Sequence, residues 1–139
     1  MIEKYLWATG SFTLMIMGIL HLYGTLFTPF MHPRNEKLIP EMKRATLKIT
    51  DKLTLWKSWI GFNATHGAGV IFLGVSNLYV NWKYREILQH DLILPTLTIV
   101  IVSFYCWVAW KFWFKTVTSL LVVALIFLLT SYMLINFHA

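Results

Sequence analysis

Three side chains, His21, Asn63 and His66, carry most of the chemistry that this sequence offers inside its long apolar stretches. A polar residue within a membrane span is a site by default, because hydrocarbon gives it no hydrogen-bond partner. His21 sits in GILHLYGT, with Gly18 three residues before it and Gly24 three after it on the same helical face. Small residues let another helix approach closely, so that face is expected to meet a packed interior. The second apolar segment reads WKSWIGFNATHGAGV, where Trp59, Asn63, His66 and Val70 form one stripe at helical spacing. Asn63 and His66 are thus neighbours on one face.

Four kinds of chemistry fit these groups. The plainest is interhelical glue, in which each hydrogen bond contributes about 0.6 kcal/mol and at most about 1.7. The second is a ligand site, with His21, Asn63, His66 and Trp59 forming a polar floor beneath an apolar cavity that takes a small hydrophobic molecule or a lipid. The third is haem held by two imidazoles, since helical bundles bind cofactors in their cores. Depth bears on it: His21 lies about 9 Å from Phe27 and His66 about 16 Å from Leu55 at 1.5 Å per residue. The resulting offset of about 7 Å exceeds one helical turn and weakens a shared axial site. The fourth is catalysis by His66 as general base oriented by Asn63, although no nucleophile, acid partner or metal triad accompanies it and no catalytic residue can be assigned.

Other polar groups add little. No Asp, Glu, Lys or Arg lies deep in an apolar segment, which counts against a proton pump or ion-coupled transporter built on buried carboxylates. His32, His90 and His138 fall at segment edges, with spacing that suggests no metal site. Tyr105, Ser131 and Tyr132 read as ordinary packing hydroxyls. Cys106, the only cysteine, excludes an internal disulfide and reads as a small buried hydrophobe.

The elements that position these groups follow from where charge is missing. Charge-free stretches run from Tyr5 to Pro33, Ser58 to Trp82, Leu92 to Trp110 and Thr116 to Ala139, and each can hold the roughly 20 residues that a membrane span needs. Helices are predicted over about 5–27, 55–80, 92–110 and 117–137. The expected fold is all-α: a polytopic integral membrane protein forming one domain, an antiparallel four-helix transmembrane bundle. Thr28-Pro29 closes the first helix. Asp91 is expected to cap the third, and the short KFWFK link makes the last two antiparallel neighbours. Residues 28–54 form a basic loop whose second half, with Met42, Ala45, Ile49, Leu53, Trp56 and Ile60 at helical spacing, reads as an amphipathic lead-in to helix 2.

Composition agrees: 58% of the 139 residues are hydrophobic and only 13% charged, with mean hydropathy +0.62. The first segment is too long for a signal peptide, contains His21 and has no small-residue cleavage site before its prolines. The net charge of +6 lies in loops beside the spans, which points to anionic lipid headgroups and away from nucleic acid. Nine Lys and Arg fall on the side of the long loop against three on the other. That imbalance places the loop in the cytoplasm and both termini outside. Tryptophans cluster near the span ends, as indoles do at the headgroup level.

The segments GILHLYGT and SWIGFNATHGAGVIFLG resemble small uncharacterised bacterial four-helix membrane proteins with a histidine in helix 1 and a G-F-N-x-x-H segment in helix 2. The resemblance covers the first half of the chain and implies fold and location in a bacterial inner membrane, with no activity attached. The function expected from the sequence is a non-catalytic membrane component, binding a small apolar ligand or lipid, or acting as an accessory subunit with a membrane-protein partner or a second copy.

Overall fold

A computed structural model describes residues 1–137, with the side chain of Phe137 excluded, so His138 lies outside the described residues. The chain is 82% helical. Its elements in order are α1 (Ile2–Leu26), a single 3₁₀ turn (Pro29–Met31), α2 (Leu38–Arg44), β1 (Thr46–Leu47), β2 (Thr50–Thr54), α3 (Leu55–Lys83), α4 (Arg85–His90), α5 (Ile93–Phe112) and α6 (Lys115–Phe137). Three of these, α1, α5 and α6, are long and apolar enough to cross a membrane. The 29-residue α3 is long enough, but its polar content keeps it out of that set.

The termini of these elements have local causes. Thr28 stops α1 by turning its hydroxyl to the Gly24 carbonyl at 2.9 Å while accepting the Phe30 N–H at 3.2 Å. At the start of α3, Thr54 Oγ1 accepts the Lys57 N–H at 3.3 Å, the bond of an N-cap. Asp91 does supply a carboxylate at the start of α5, accepting the Ile93 N–H at 2.8 Å, with Leu92 as the boundary residue. Trp113 and Phe114 alone join α5 to α6, and the two helices pack together.

The expected amphipathic helix ahead of α3 is replaced by a break. Only α2 is helical; the chain then forms a small antiparallel hairpin pairing Thr46 with Thr54 and Leu47 with Thr50. Thr46, Ile49, Thr50 and Thr54 are β-branched, and their stiff side chains suit strands better than the helix that apolar spacing implies. The six-residue α4 is a second element that the charge pattern does not announce.

The chain divides into two compact units, to both of which α1 and α3 contribute. Unit 1 comprises Met1–Ile16 and Ile71–Ala139; unit 2 is Met17–Val70. Each long helix buries one narrow seam at alternating spacings of three and four. In α3 the seam is Asn63, Gly67, Val70, Gly74, Asn77 and Asn81; in α6 it is Leu121, Ala124, Leu128 and Ser131. The faces turned outward are apolar, with Phe12, Phe62, Phe72, Phe104 and Ile126 among the exposed side chains. The buried seams mix apolar residues such as Trp7, Leu14 and Val102 with the polar Ser11, Asn77, Thr98 and Ser131, while many large apolar side chains face outward.

Candidate functional site

In unit 2, α1 supplies His21 and α3 supplies Asn63 and His66. The two imidazoles meet edge to face, with ring centroids 5.1 Å apart and planes at 82°. Asn63 is buried; its side-chain amide donates to the Trp59 carbonyl at 2.8 Å, and it is also a hydrogen-bond partner of the His21 ring. Thr25, buried one turn beyond His21, donates its hydroxyl to the His21 carbonyl at 2.8 Å. His21, Asn63 and His66 therefore form one cluster. The fourth expected member, Trp59, contributes its backbone carbonyl, while its residue surface stays 40% exposed.

The histidines share one level despite the depth offset anticipated from their distances to the helix ends. A Cβ placed on Gly67 would lie 3.1 Å from the Leu22 backbone nitrogen and 3.3 Å from the Gly18 carbonyl oxygen, so α3 crosses α1 there at close range. Four residues separate Leu22 from the end of α1, whereas twelve separate Leu55 from Gly67. The first two turns of α3 thus run past the end of α1 by about 12 Å at 1.5 Å per residue. The premise that both helices end at one level was the error, and it arose because charge gaps locate spans without fixing their relative heights. Gly67, which the sequence reading left out, is the small residue at this crossing. Gly24, expected to serve close helix packing, has only the Met31 side chain near it, at 3.8 Å.

Contact between the rings bears on chemistry. Two imidazoles meeting edge to face leave no gap for a porphyrin plane between them, so a haem with both as axial ligands does not fit this arrangement. Among the described residues no three His, Cys, Asp or Glu side chains gather as a metal-ligand group. The arrangement suits hydrogen bonding: two rings and an amide, half-buried or buried, reached from helices whose other faces are apolar.

A second polar cluster, in unit 1, escaped the sequence reading. Thr98 Oγ1 donates to Asn77 Oδ1 at 3.1 Å, Asn81 Nδ2 donates to the Lys4 carbonyl at 3.0 Å, and Ser131 Oγ donates to the Glu3 carbonyl at 2.7 Å. The Glu3 carboxylate pairs with Arg85. Neither Asn77, inside the helix expected over 55–80, nor Asn81, one residue beyond it, was singled out from the sequence; their spacing of four, in step with Gly74, was the available signal. Nearby, a cavity of about 430 Å³ is lined by Met1, Ile2, Glu3, Gln89, His90, Leu134 and Ile135.

No protein-family profile matches the chain. No curated protein and no solved structure matches it either. Function is therefore read from the residues themselves.

Proposed function

We propose that this is a multi-pass membrane protein in which α1, α3, α5 and α6 all cross the bilayer as an antiparallel four-helix bundle, and that it binds a small, largely apolar molecule at His21, Asn63 and His66. Inclusion of α3 is supported by the distribution of its polar residues. Its asparagines lie on the buried seam, while Phe62, Phe72, Val75 and Tyr79 are exposed, so the side offered to lipid is more apolar than its average composition. The seams at alternating three and four spacing are those of left-handed helical packing. The excess of Lys and Arg between α1 and α3 supports a cytoplasmic loop with both termini outside. The resemblance to small bacterial four-helix membrane proteins points to the same location.

One observation carries the binding role: His21 and His66 in contact at 5.1 Å beside Asn63, within a structure whose outward surfaces are apolar. A ligand there would present one polar end to the imidazoles and its apolar body to the surrounding side chains. Among the described residues the cluster consists of two imidazoles and an amide, groups better suited to holding a ligand's polar end than to covalent chemistry.

Native mass spectrometry of the full chain from membranes tests the site. A small molecule retained by the wild type and lost from His66→Leu, with the variant still folded, supports binding; identical retention by both defeats it. Topology is tested separately with Asn35→Cys in a Cys106→Ala background. Labelling of that cysteine by an impermeant reagent outside intact cells would reverse the orientation.

A further inference from the structure

The segment between α1 and α3 combines two properties that water alone does not reconcile. Between Pro29 and Lys57 there are seven Lys or Arg against three Asp or Glu, and all seven basic residues are exposed. The ion pairs among the described residues, both at Glu3, involve none of them. Beside these cations stand bare apolar side chains: Phe27, Phe30 and Ile49 are exposed, the last at 88%.

The hairpin concentrates both properties at its tip. Lys48 and Ile49 form the two-residue turn between Leu47 and Thr50, with Lys52 just beyond. Tight hairpin turns ordinarily take Gly, Asn or Asp because these tolerate a positive φ. No described residue has a positive φ, so turn geometry gives no reason for this residue choice. A β-branched aliphatic side chain at such a tip gains nothing in water and gains by leaving it. At the root of the hairpin, Trp56 meets His32 with ring centroids 5.0 Å apart, and Lys43 Nζ lies 5.7 Å from the Trp56 ring. An amphipathic ring beside a cation is the combination favoured at headgroup level.

We propose that the β1–β2 hairpin docks on the anionic headgroups of the membrane that the protein spans, Ile49 entering the acyl boundary while Lys48 and Lys52 meet lipid phosphates. The inference rests on the membrane reading above. Charge complementarity favours an anionic lipid surface, and the direct connection of this segment to α1, itself apolar enough to span, keeps it close to one. An exposed aliphatic tip argues against nucleic acid, which would meet the cations without covering Ile49.

The test uses the full chain in nanodiscs of phosphatidylcholine, with and without phosphatidylglycerol, carrying a fluorophore on Thr50→Cys in a Cys106→Ala background. Quenching by lipid-borne nitroxides and by aqueous iodide reports depth. The expected result is strong nitroxide quenching and poor iodide access in anionic discs, reversed by Ile49→Asp. Lys48→Gln should lower the preference for anionic discs about fivefold, the equivalent of about 1 kcal/mol per basic residue at a charged surface. Free iodide access in both discs overturns docking, and equal nitroxide quenching in both overturns recognition of negative charge. Loss of iodide access only when an acidic protein partner is added assigns the tip to protein instead and likewise overturns the proposal. A fluorophore on Phe104→Cys, exposed on α5, reports the span: deep quenching there with an unburied hairpin refutes docking and leaves the membrane reading standing.

Discussion

In unit 1 the buried hydroxyls and amides reach across the sequence: Ser131 to the Glu3 carbonyl, Asn81 to the Lys4 carbonyl, Thr98 to Asn77. In unit 2 the corresponding amide turns back on its own helix, Asn63 to the Trp59 carbonyl, and stands beside two half-buried imidazoles. Both sets are buried polar groups on helical seams. The first set spends its hydrogen-bonding capacity fastening distant segments, as expected of structural glue. The second brings two imidazole rings and an amide from two helices into one place, a set of groups that could also turn toward a ligand.

Five substitutions sharpen the contrast, taken from the largest expected effect. Gly74→Ala in unit 1 would put a Cβ 2.6 Å from the Met15 backbone nitrogen and 2.8 Å from its Cα, and neither atom can yield without moving a helix. A loss of about 3 kcal/mol is expected, read as a large fall in Tm in detergent. An unchanged Tm would mean that α1 and α3 do not approach there. Gly67→Ala in unit 2, at 3.1 Å from Leu22, should cost about 1 kcal/mol.

Asn77→Ala should rank between these two, lowering stability by about 1–2 kcal/mol, since it takes from the Thr98 hydroxyl its acceptor on another helix and empties a buried site. A double-mutant cycle with Thr98→Val should return a coupling of about 0.6 kcal/mol or more. Zero coupling would remove the unit 1 network. His66→Leu should change stability by less than about 1 kcal/mol while abolishing the bound molecule. If instead it destabilises as much as Asn77→Ala and alters no ligand, the two units use their polar groups alike and the comparison collapses. Gly61→Ala is the smallest: nothing lies within 4 Å of the added methyl, so a gain of up to about 1 kcal/mol from lower backbone entropy is expected. Destabilisation there would reveal a neighbour, such as a second copy, against that face.

The four long helices were legible because the absence of charge is a strong signal, and their ends fell within a few residues of those expected. Residues 45–54 were misread because spacing of Ala45, Ile49 and Leu53 suits a helix, and the competing preference of four β-branched residues was not weighed against it. His21, Asn63 and His66 could be picked out one by one from polarity. Their convergence was expected as one option from shared polarity and spacing, but that the two histidines lie level was not, since it depends on the height at which α3 crosses α1, and the Gly67 contact marks that height. The unit 1 network needs the pairing of residues as far apart as Glu3 and Ser131, which no local pattern encodes.

That last pairing also dictates an order of assembly. Glu3 and Ser131 are 128 positions apart, so the hydrogen bond between them cannot form until the final helix has been synthesised. At roughly 5–20 residues per second, the first turn of α1 waits on the order of ten seconds for its partner on α6. During that interval Arg85, delivered earlier, is the one distant side chain among the described residues that can hold the Glu3 carboxylate. The ion pair persists beside the Ser131 hydrogen bond in the finished structure, so the leading end of the chain has one distant fastening available before the trailing helix arrives and two afterwards.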